Sequence, residues 1–357
     1  MKAAIISLGS VSSKWIYESM KKYFDEVDML NLQDIEVNIG KGGAEVLHEG
    51  VPLKNYDCIY AKGSFKYSSL LRAITSVMWS NTKYMPIKAG AFTICHNKIL
   101  THLKLQTNDV PMPRTYITAT SRAAKEILQK INYPIVMKLP SGTQGKGVMF
   151  ADSYASASSM LDTLSILKQP FLIQEYVEAG GMDIRVIVVG DKVVAAMSRK
   201  ATGQEKRSNI HAGGSGEPID IDPKLASIAL KAAKILKADI CGVDILQTVR
   251  GPMVLEVNLS PGLQGITAAT KIDVADKIAK FLFEKTNSNL PVVEDKSANG
   301  ILEEVKLIED AKQIVSELTF RGEKILLPEF VTKMSGFKEN EEYVVSAKKG
   351  EIVIRKF

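Results

Sequence analysis

Residues Cys241–Gly262 read CGVDILQTVRGPMVLEVNLSPG. Two apolar runs, Gly242–Leu246 and Met253–Val257, flank the segment Gln247–Pro252, which carries the turn signal Arg250-Gly251-Pro252. The pattern predicts a β-hairpin. Side chains alternate along a strand, so Glu256 and Asn258 share one face, and Asp244 lies in the opposing run. Two acids and an amide oxygen converging from paired strands make a site for a hard cation. Mg²⁺ suits such ligands, because it keeps part of its water shell and shares substrate phosphates. The alternative is a hairpin whose acids face solvent. The mainly apolar flanks favour the cation, since a buried acid needs a partner.

Working upstream, Met182–Val189 is predicted to be a strand with Asp183 and Arg185 on one face, paired with Lys192–Ser198 across the hairpin signal Gly190-Asp191. Beyond it, Arg199, Lys200, Lys206 and Arg207 place four cations within nine residues, followed by Asn209. This is either an anion-binding loop or a solvated one. Phe171–Val177 reads as a strand that breaks at Glu178–Gly181. Tyr133–Leu139 reads as a strand ending in Lys138, followed by a loop with Gly142, Gly145 and Gly147 around Lys146. Such a loop can wrap its N–H groups around phosphate oxygens, although it lacks the GxxxxGK[ST] order and a flexible turn is the competing reading. Lys138, aimed at the same region, favours phosphate.

The first residues predict a small α/β unit with a parallel sheet: a strand at Lys2–Leu8, a helix to Phe24, and strands at Val27–Leu32 and Asp57–Ala61. Only Gly9 follows the first strand, so no dinucleotide fingerprint is present. Leu70–Trp79 is predicted helical, Met85–Ile87 a short strand, and Phe92–Thr107 one helix carrying Lys98. His96 and His102 lie six apart and share no helical face, which argues against a zinc pair. Asp109–Pro113 reads as a linker, Arg114–Thr118 as a strand, and Ser121 as the cap of a helix to Lys130. Helices are expected at Ser153–Lys168, Pro223–Leu236, Ile272–Lys285 and Ile301–Leu318, with a linker at Asn287–Asn299 and strands over Glu323–Phe357.

The chain has 357 residues, 45% hydrophobic and 24% charged, with formal net charge +6. That is ordinary for a globular protein and too weakly basic to imply nucleic acid. Cys58, Cys95 and Cys241 form no disulfide framework and no CxxC pair, so a reducing, cytoplasmic setting is expected. No apolar stretch is long enough for a membrane span, and the N-terminus reads as a strand rather than a signal peptide.

Lys98, Lys138, the 141–147 loop, Gln174–Val177, Asp183–Arg185, Arg207–Asn209, Asp244 and Glu256–Asn258, in this order, resemble the ATP-grasp superfamily and especially the RimK-type α-L-glutamate ligases. The likeness runs from Met1 to about Lys285. It is densest in PIVMKLPSGTQGKGV, QEYV, DIRVIVVGDKVVAA, RSNIHAGG, CGVDIL and GPMVLEVNLSPGLQGI. The resemblance implies an α/β (α+β) fold with a preATP-grasp domain over 1–92, a linker helix and lid over 93–174, and a larger ATP and metal domain over 175–290. It implies an ATP-dependent carboxylate–amine ligase that works through an acylphosphate, with ATP and Mg²⁺, or Mn²⁺, as cofactors. By likeness Lys98 and Lys138 contact phosphates, with Gly142, Gly145, Lys146 and Gly147 in the loop. Glu175, Tyr176 and Val177 hold adenine; Asp183, Arg207 and Asn209 line the nucleotide site; Asp244, Glu256 and Asn258 hold metal. Arg185 and Arg207 are the expected catalytic cations, with backbone N–H groups near Gly262 assisting. The expected partners are glutamate or a related amino acid and an acceptor carboxylate on a protein, a polyglutamate tail or a coenzyme. A carrier-protein ligase of lysine or arginine synthesis, or a non-catalytic ATP-binding assembly protein, are the alternatives. Ala212 stands where the family commonly has Arg, and Gln264 where it often has Glu, which bears on substrate choice. Residues 300–357 weakly resemble an AbrB-type swapped-hairpin module; with Glu339–Glu342 acidic, they point to a homo-oligomer, dimer or tetramer, or to recognition of a carrier, more than to DNA, and a small, mainly β appendage packing on the ligase is the competing reading.

Overall fold

The computed structural model describes residues 1–41, 43–140, 147–200, 215–288, 319–321, 324–326, 343–348 and 351–356. The chain divides into two compact units, Met1–Glu303 and Glu304–Phe357.

The first unit opens with a parallel sheet in which Lys2–Ser7 lies between Glu26–Asn31 and Cys58–Ala61. Ala3 to Ile6 are wholly buried, as a near-continuous apolar run in a parallel sheet requires. Helix Val11–Met20 follows the first strand and is capped by Ser10, whose side chain accepts from the Ser13 N–H. Residues 35–52, which the sequence reading left without structure, form a three-stranded antiparallel sheet of Ile35–Gly40, Gly43–His48 and Val51–Pro52. Met85–Ile87 is not a strand: Tyr84 and Ile87 make isolated bridges to Cys58 and Ala238.

The expected single helix Phe92–Thr107 is two helices, Ala89–Cys95 and Lys98–Gln106. The break is Asn97, whose side-chain oxygen accepts from the N–H groups of Ile99 and Leu100 and so starts the second helix. Lys98 is thereby its first residue, where a cation opposes the helix dipole.

Residues 115–175 build an antiparallel sheet in the order Thr115–Tyr116, Leu172–Glu175, Ile135–Lys138, Val148–Ala151. The last strand was not anticipated. Helices Ser121–Leu128 and Tyr154–Ile166 accompany it. The first is capped by Thr120, which accepts from the Ala123 N–H, and not by Ser121. This part has its own core, including Leu128, Ile135, Met137, Leu161 and Ile173.

A second antiparallel sheet runs Ser215–Pro218, Lys192–Lys200, Met182–Val189, Ile240–Thr248, Gly251–Asn258. Its core is continuous with that of the parallel sheet, joining Ile5, Tyr60 and Phe92 to Val186, Ile245 and Leu282. Helices Pro223–Ile235 and Val274–Asn287 pack there, with Gln264–Thr270 as a further short helix missed in the sequence. In the second unit the described strands form two antiparallel pairs, Thr319–Arg321 with Lys324–Leu326 and Tyr343–Lys348 with Glu351–Lys356. The expected linker and helix between residues 289 and 318 lie outside the described residues. Among the described residues no helix is long and apolar enough to cross a membrane.

Gly190 turns between Met182–Val189 and Lys192–Lys200 at φ +64°, and a Cβ there would overlap the Phe281 ring. Gly190→Ala therefore combines strain with overpacking, and should lower stability by about 1–3 kcal/mol in chemical denaturation. Every described core residue of the sites discussed below lies before Glu303. Deleting residues 304–357 is accordingly expected to leave Mg–ADP affinity unchanged in calorimetry.

Candidate active site

The hairpin pairs Ile240–Thr248 with Gly251–Asn258 and turns at Val249-Arg250, tighter than the segment expected. Gly242 faces Asn258 and Asp244 faces Glu256 in register. The register then slips: Ile245 pairs with Val254, leaving Leu255 as an extra residue. Simple alternation would put Val254, Glu256 and Asn258 on one face, yet Val254 and Val257 are the buried residues. The bulge switches the inward parity, so that Val254 fills the core while Glu256 and Asn258 turn to the other face. Both line a cavity of about 530 Å³.

Asp244 is 7% exposed and accepts from Arg185, Nε to Oδ1 at 2.7 Å and Nη2 to Oδ2 at 2.6 Å. Arg199, 3% exposed, grips Asp183 the same way at 2.6 and 2.7 Å and reaches Asp244 Oδ2 at 3.1 Å. The sheet supplies this geometry, since Arg185 is the register partner of Asp244 and Asp183 that of Arg199. Burial works to raise the Asp244 pKa, but the Arg185 and Arg199 guanidiniums outweigh it and hold the carboxyl below its ordinary value. Its ionised form thus stabilises the fold above the ordinary carboxylate pKa, and that contribution is lost as pH falls through the depressed value.

A smaller cavity of about 190 Å³ lies between the four-stranded sheet of residues 115–175 and this network. Val136, Val148, Phe150, Leu246 and Leu255 give it apolar walls, and Glu175, Tyr176, Val177 and Asp183 complete it. A flat apolar slot edged by polar backbone suits a nucleobase. Here the Glu175 N–H already donates to Arg114 O. Lys138 enters from the strand below. Its Nζ donates to Gln174 Oε1 at 2.6 Å, and Gln174 Nε2 donates to Thr115 Oγ1 at 2.8 Å. Thr115 gives its own proton to Pro113 O, so at 3.3 Å His102 Nδ1 donates to Thr115. Burial, with Lys138 and Lys98 nearby, lowers the His102 pKa to about 4 and keeps the ring neutral. Burial also lowers the Lys138 pKa to about 8; Glu256 opposes that, Lys98 adds to it, and Asp244 opposes it.

The two cavities share Asp244, Leu255 and Glu256. Lys98, Arg185 and Asn258 line only the larger; Lys138, Glu175, Tyr176, Val177 and Asp183 only the smaller. Gly147 sits at φ +78° and its carbonyl accepts from the Leu139 N–H, on neither lining. Gly142, Gly145, Lys146, Arg207, Asn209 and Ala212 lie outside the described residues. Sequence reasoning missed Gln174 as the lysine's neutral partner, Arg199 as a buried clamp rather than a loop cation, and Lys62 in the larger cavity. Lys62 carried a signal: it follows the carboxyl end of a parallel strand, where open α/β sheets keep their crevices.

The donor set fits Mg²⁺. Glu256 makes no hydrogen bond or ion pair among the described residues. Asn258 Nδ2 is buried with no partner among them, so the amide is not locked by protein contacts. Asp244 Oδ1 keeps a second lone pair beyond its bond to Arg185, while Oδ2 is taken by both guanidiniums. All three offer hard oxygen.

Removing Arg199 would leave Asp183 and Asp244 buried without their shared cation. Arg199→Met should cost about 3–5 kcal/mol in denaturant unfolding, far more than an exposed arginine would.

The family model for a RimK-like ATP-grasp domain matches residues 95–282. A Vibrio cholerae serotype O1 protein named probable alpha-L-glutamate ligase is 35% identical over 286 residues, covering 79% of this chain and 95% of that protein. A Halorhodospira halophila protein of the same name has the same identity and coverage. Among solved structures, ATP-grasp ligase PsnB complexed with minimal precursor, Mg and ADP superposes with TM-score 0.63 at 18% identity, covering 80% of this chain and 98% of PsnB. D-alanine–D-alanine ligase from Bacillus anthracis gives 0.56 at 16%, covering 80% and 96%. These two share the fold, whereas the domain match takes in every residue of the two linings from Cys95 onward. The chain belongs to the RimK-like ATP-grasp family.

Proposed function

We propose that this ATP-dependent ligase joins L-glutamate, through its amine, to an acceptor carboxylate on a protein C-terminus, a polyglutamate tail or a coenzyme. The observation that carries the reading is the meeting of an apolar slot and a polar cavity at Asp244 and Glu256. A nucleotide seated in the slot directs its phosphates toward the same acids that border the cavity where the acceptor would lie. Relatives named alpha-L-glutamate ligase at 35% identity support glutamate as the amine.

A carboxylate resists amines because its oxygen is a poor leaving group. Accepting the γ-phosphoryl group of ATP turns it into an acylphosphate, which the amine displaces, releasing phosphate. The reaction needs alignment and charge neutralisation and no protein nucleophile. Asp244, Glu256 and Asn258 would hold Mg²⁺, or Mn²⁺ on the same oxygens, which supplies Lewis-acid neutralisation of phosphate charge. Lys138, presented on a neutral amide, keeps its charge for phosphate oxygens, and Lys98 borders the acceptor side. Arg185 spends two of its five N–H donors on Asp244, so the guanidinium retains donors for an acyl phosphate in the larger cavity. Arg207 belongs to the same cationic set in this proposal.

ADP and phosphate release should require glutamate and an acceptor together, and mass spectrometry of a reaction with cell extract should reveal a molecule gaining a glutamyl residue. An amino acid other than glutamate in that product would overturn the substrate assignment. Glu256→Gln removes an anionic ligand that no described residue engages. It is expected to slow ADP formation on the order of a thousandfold with an unchanged melting temperature. Turnover at the unsubstituted rate would refute the metal role.

A further inference from the structure

The larger cavity has a wall that the reaction above does not use. Lys62 follows the buried strand Cys58–Ala61 and is only 4% exposed. Among the described residues its Nζ has no hydrogen bond or ion pair; the Tyr60 ring lies 5.7 Å away. Around it the cavity is lined by hydroxyls: Ser7, Ser10, Ser12, Ser13 and Ser64. Ser10 and Ser12 sit at the start of the ten-residue helix Val11–Met20, whose N-terminal end therefore opens on this wall. Among the described residues the acids lining the cavity are Asp244 and Glu256, on the hairpin. Gln264, which also lines it, is neutral and accepts from Ser12 Oγ at 3.3 Å.

A buried ammonium without a counter-charge is costly, and burial lowers the Lys62 pKa to about 8. An anion beside it would restore full protonation. The helix N-terminus and the hydroxyls add dipoles of the right sign for the same guest. Lys62 does not line the nucleotide slot, so the guest is not the nucleobase end of ATP. A carboxylate that is activated must sit by Glu256 and Asp244. The one at Lys62 is therefore not the reacting group.

We propose that Lys62, with the serine hydroxyls and the N-terminus of helix Val11–Met20, binds one of the two carboxylates of the amino-acid substrate, neither of which reacts. This rests on the ligase reading above and makes acidity at that position a condition of substrate choice.

The test is calorimetric titration of the full-length protein, saturated with Mg–ADP, with L-glutamate, glutarate, L-glutamine and L-isoglutamine. Lys62→Met should weaken L-glutamate by about 10–100-fold while the Kd for Mg–ADP stays within about twofold. With the unsubstituted protein, at least one of the two amides should bind about tenfold more weakly than L-glutamate, and this comparison stands even where Lys62→Met does not fold. Lys62→Arg, which keeps the charge, should recover part of the affinity. An affinity of Lys62→Met for L-glutamate equal to that of the unsubstituted protein would overturn the assignment. So would a matching loss of Mg–ADP binding in the folded variant, which would make Lys62 a nucleotide contact. So would the absence of carboxylate binding to the unsubstituted protein. If glutarate binds in a Lys62-dependent manner and glutamate does not, the subsite stands and the choice of glutamate falls.

Discussion

Asp244 is buried, ionised and held from two sides, and the arrangement of charge in the molecule follows from that. Taking a carboxylate out of water costs several kcal/mol unless partners with good geometry replace the water. Arg185 and Arg199 do so from neighbouring positions on the same sheet, at distances of 2.6–3.1 Å. Because the arginines are register partners of acids across adjacent strands, the backbone ladder sets their positions before any ligand arrives. Asp183 then balances Arg199, leaving a compact set of two acids and two arginines. Glu256 stands directly opposite Asp244 outside this set. The excess negative charge in the region is therefore concentrated at Glu256, beside the Asn258 amide, where a divalent cation fits.

The position of Glu256 depends on a single extra residue. Leu255 shifts the register by one, and every side chain beyond it changes face. The sequence made the hairpin, the shared face of Glu256 and Asn258, and the pairing of Met182–Val189 with its neighbour legible, because period 2 and a Gly190-Asp191 turn are local signals. It did not make the bulge legible, since the run Met253–Val257 is apolar on both parities and alternation carries no information there. Residues 35–52 do carry a period-2 signal, Ile35, Val37 and Ile39 alternating with Glu36 and Asn38, in short stretches broken by glycines at 40, 42 and 43. At Asn97 a helical period misleads instead. The apolar periodicity of 92–107 runs through it, while the side-chain cap that breaks the helix is a local competition with the backbone that periodicity does not register. The smaller cavity was readable only as separate segments, because Val136, Tyr176 and Leu246 meet through tertiary packing.

The cations of the site fall into two kinds. Arg185 and Arg199 are matched by carboxylates and serve to hold Asp244 and Asp183 in place. Lys138 and Lys62 are not matched in this way, and burial lowers both to a pKa of about 8. Lys138 is oriented by the amide of Gln174, itself steadied by Thr115 and the neutral His102. A carboxylate in place of that amide would neutralise the lysine and compete with an incoming phosphate; the amide aims it without doing so. Lys62 goes further, with hydroxyls and a helix N-terminus around it and no acid on its part of the wall. Buried positive charge that the protein leaves uncompensated is a demand for an anionic ligand. The two lysines place that demand on opposite linings, one facing the slot and one facing the cavity, with Glu256 and Asp244 on the border between them. A substrate pair that brings phosphate to one lysine and carboxylate to the other would satisfy both, and would set the reacting groups at Asp244 and Glu256, the acids that the two linings share among the described residues.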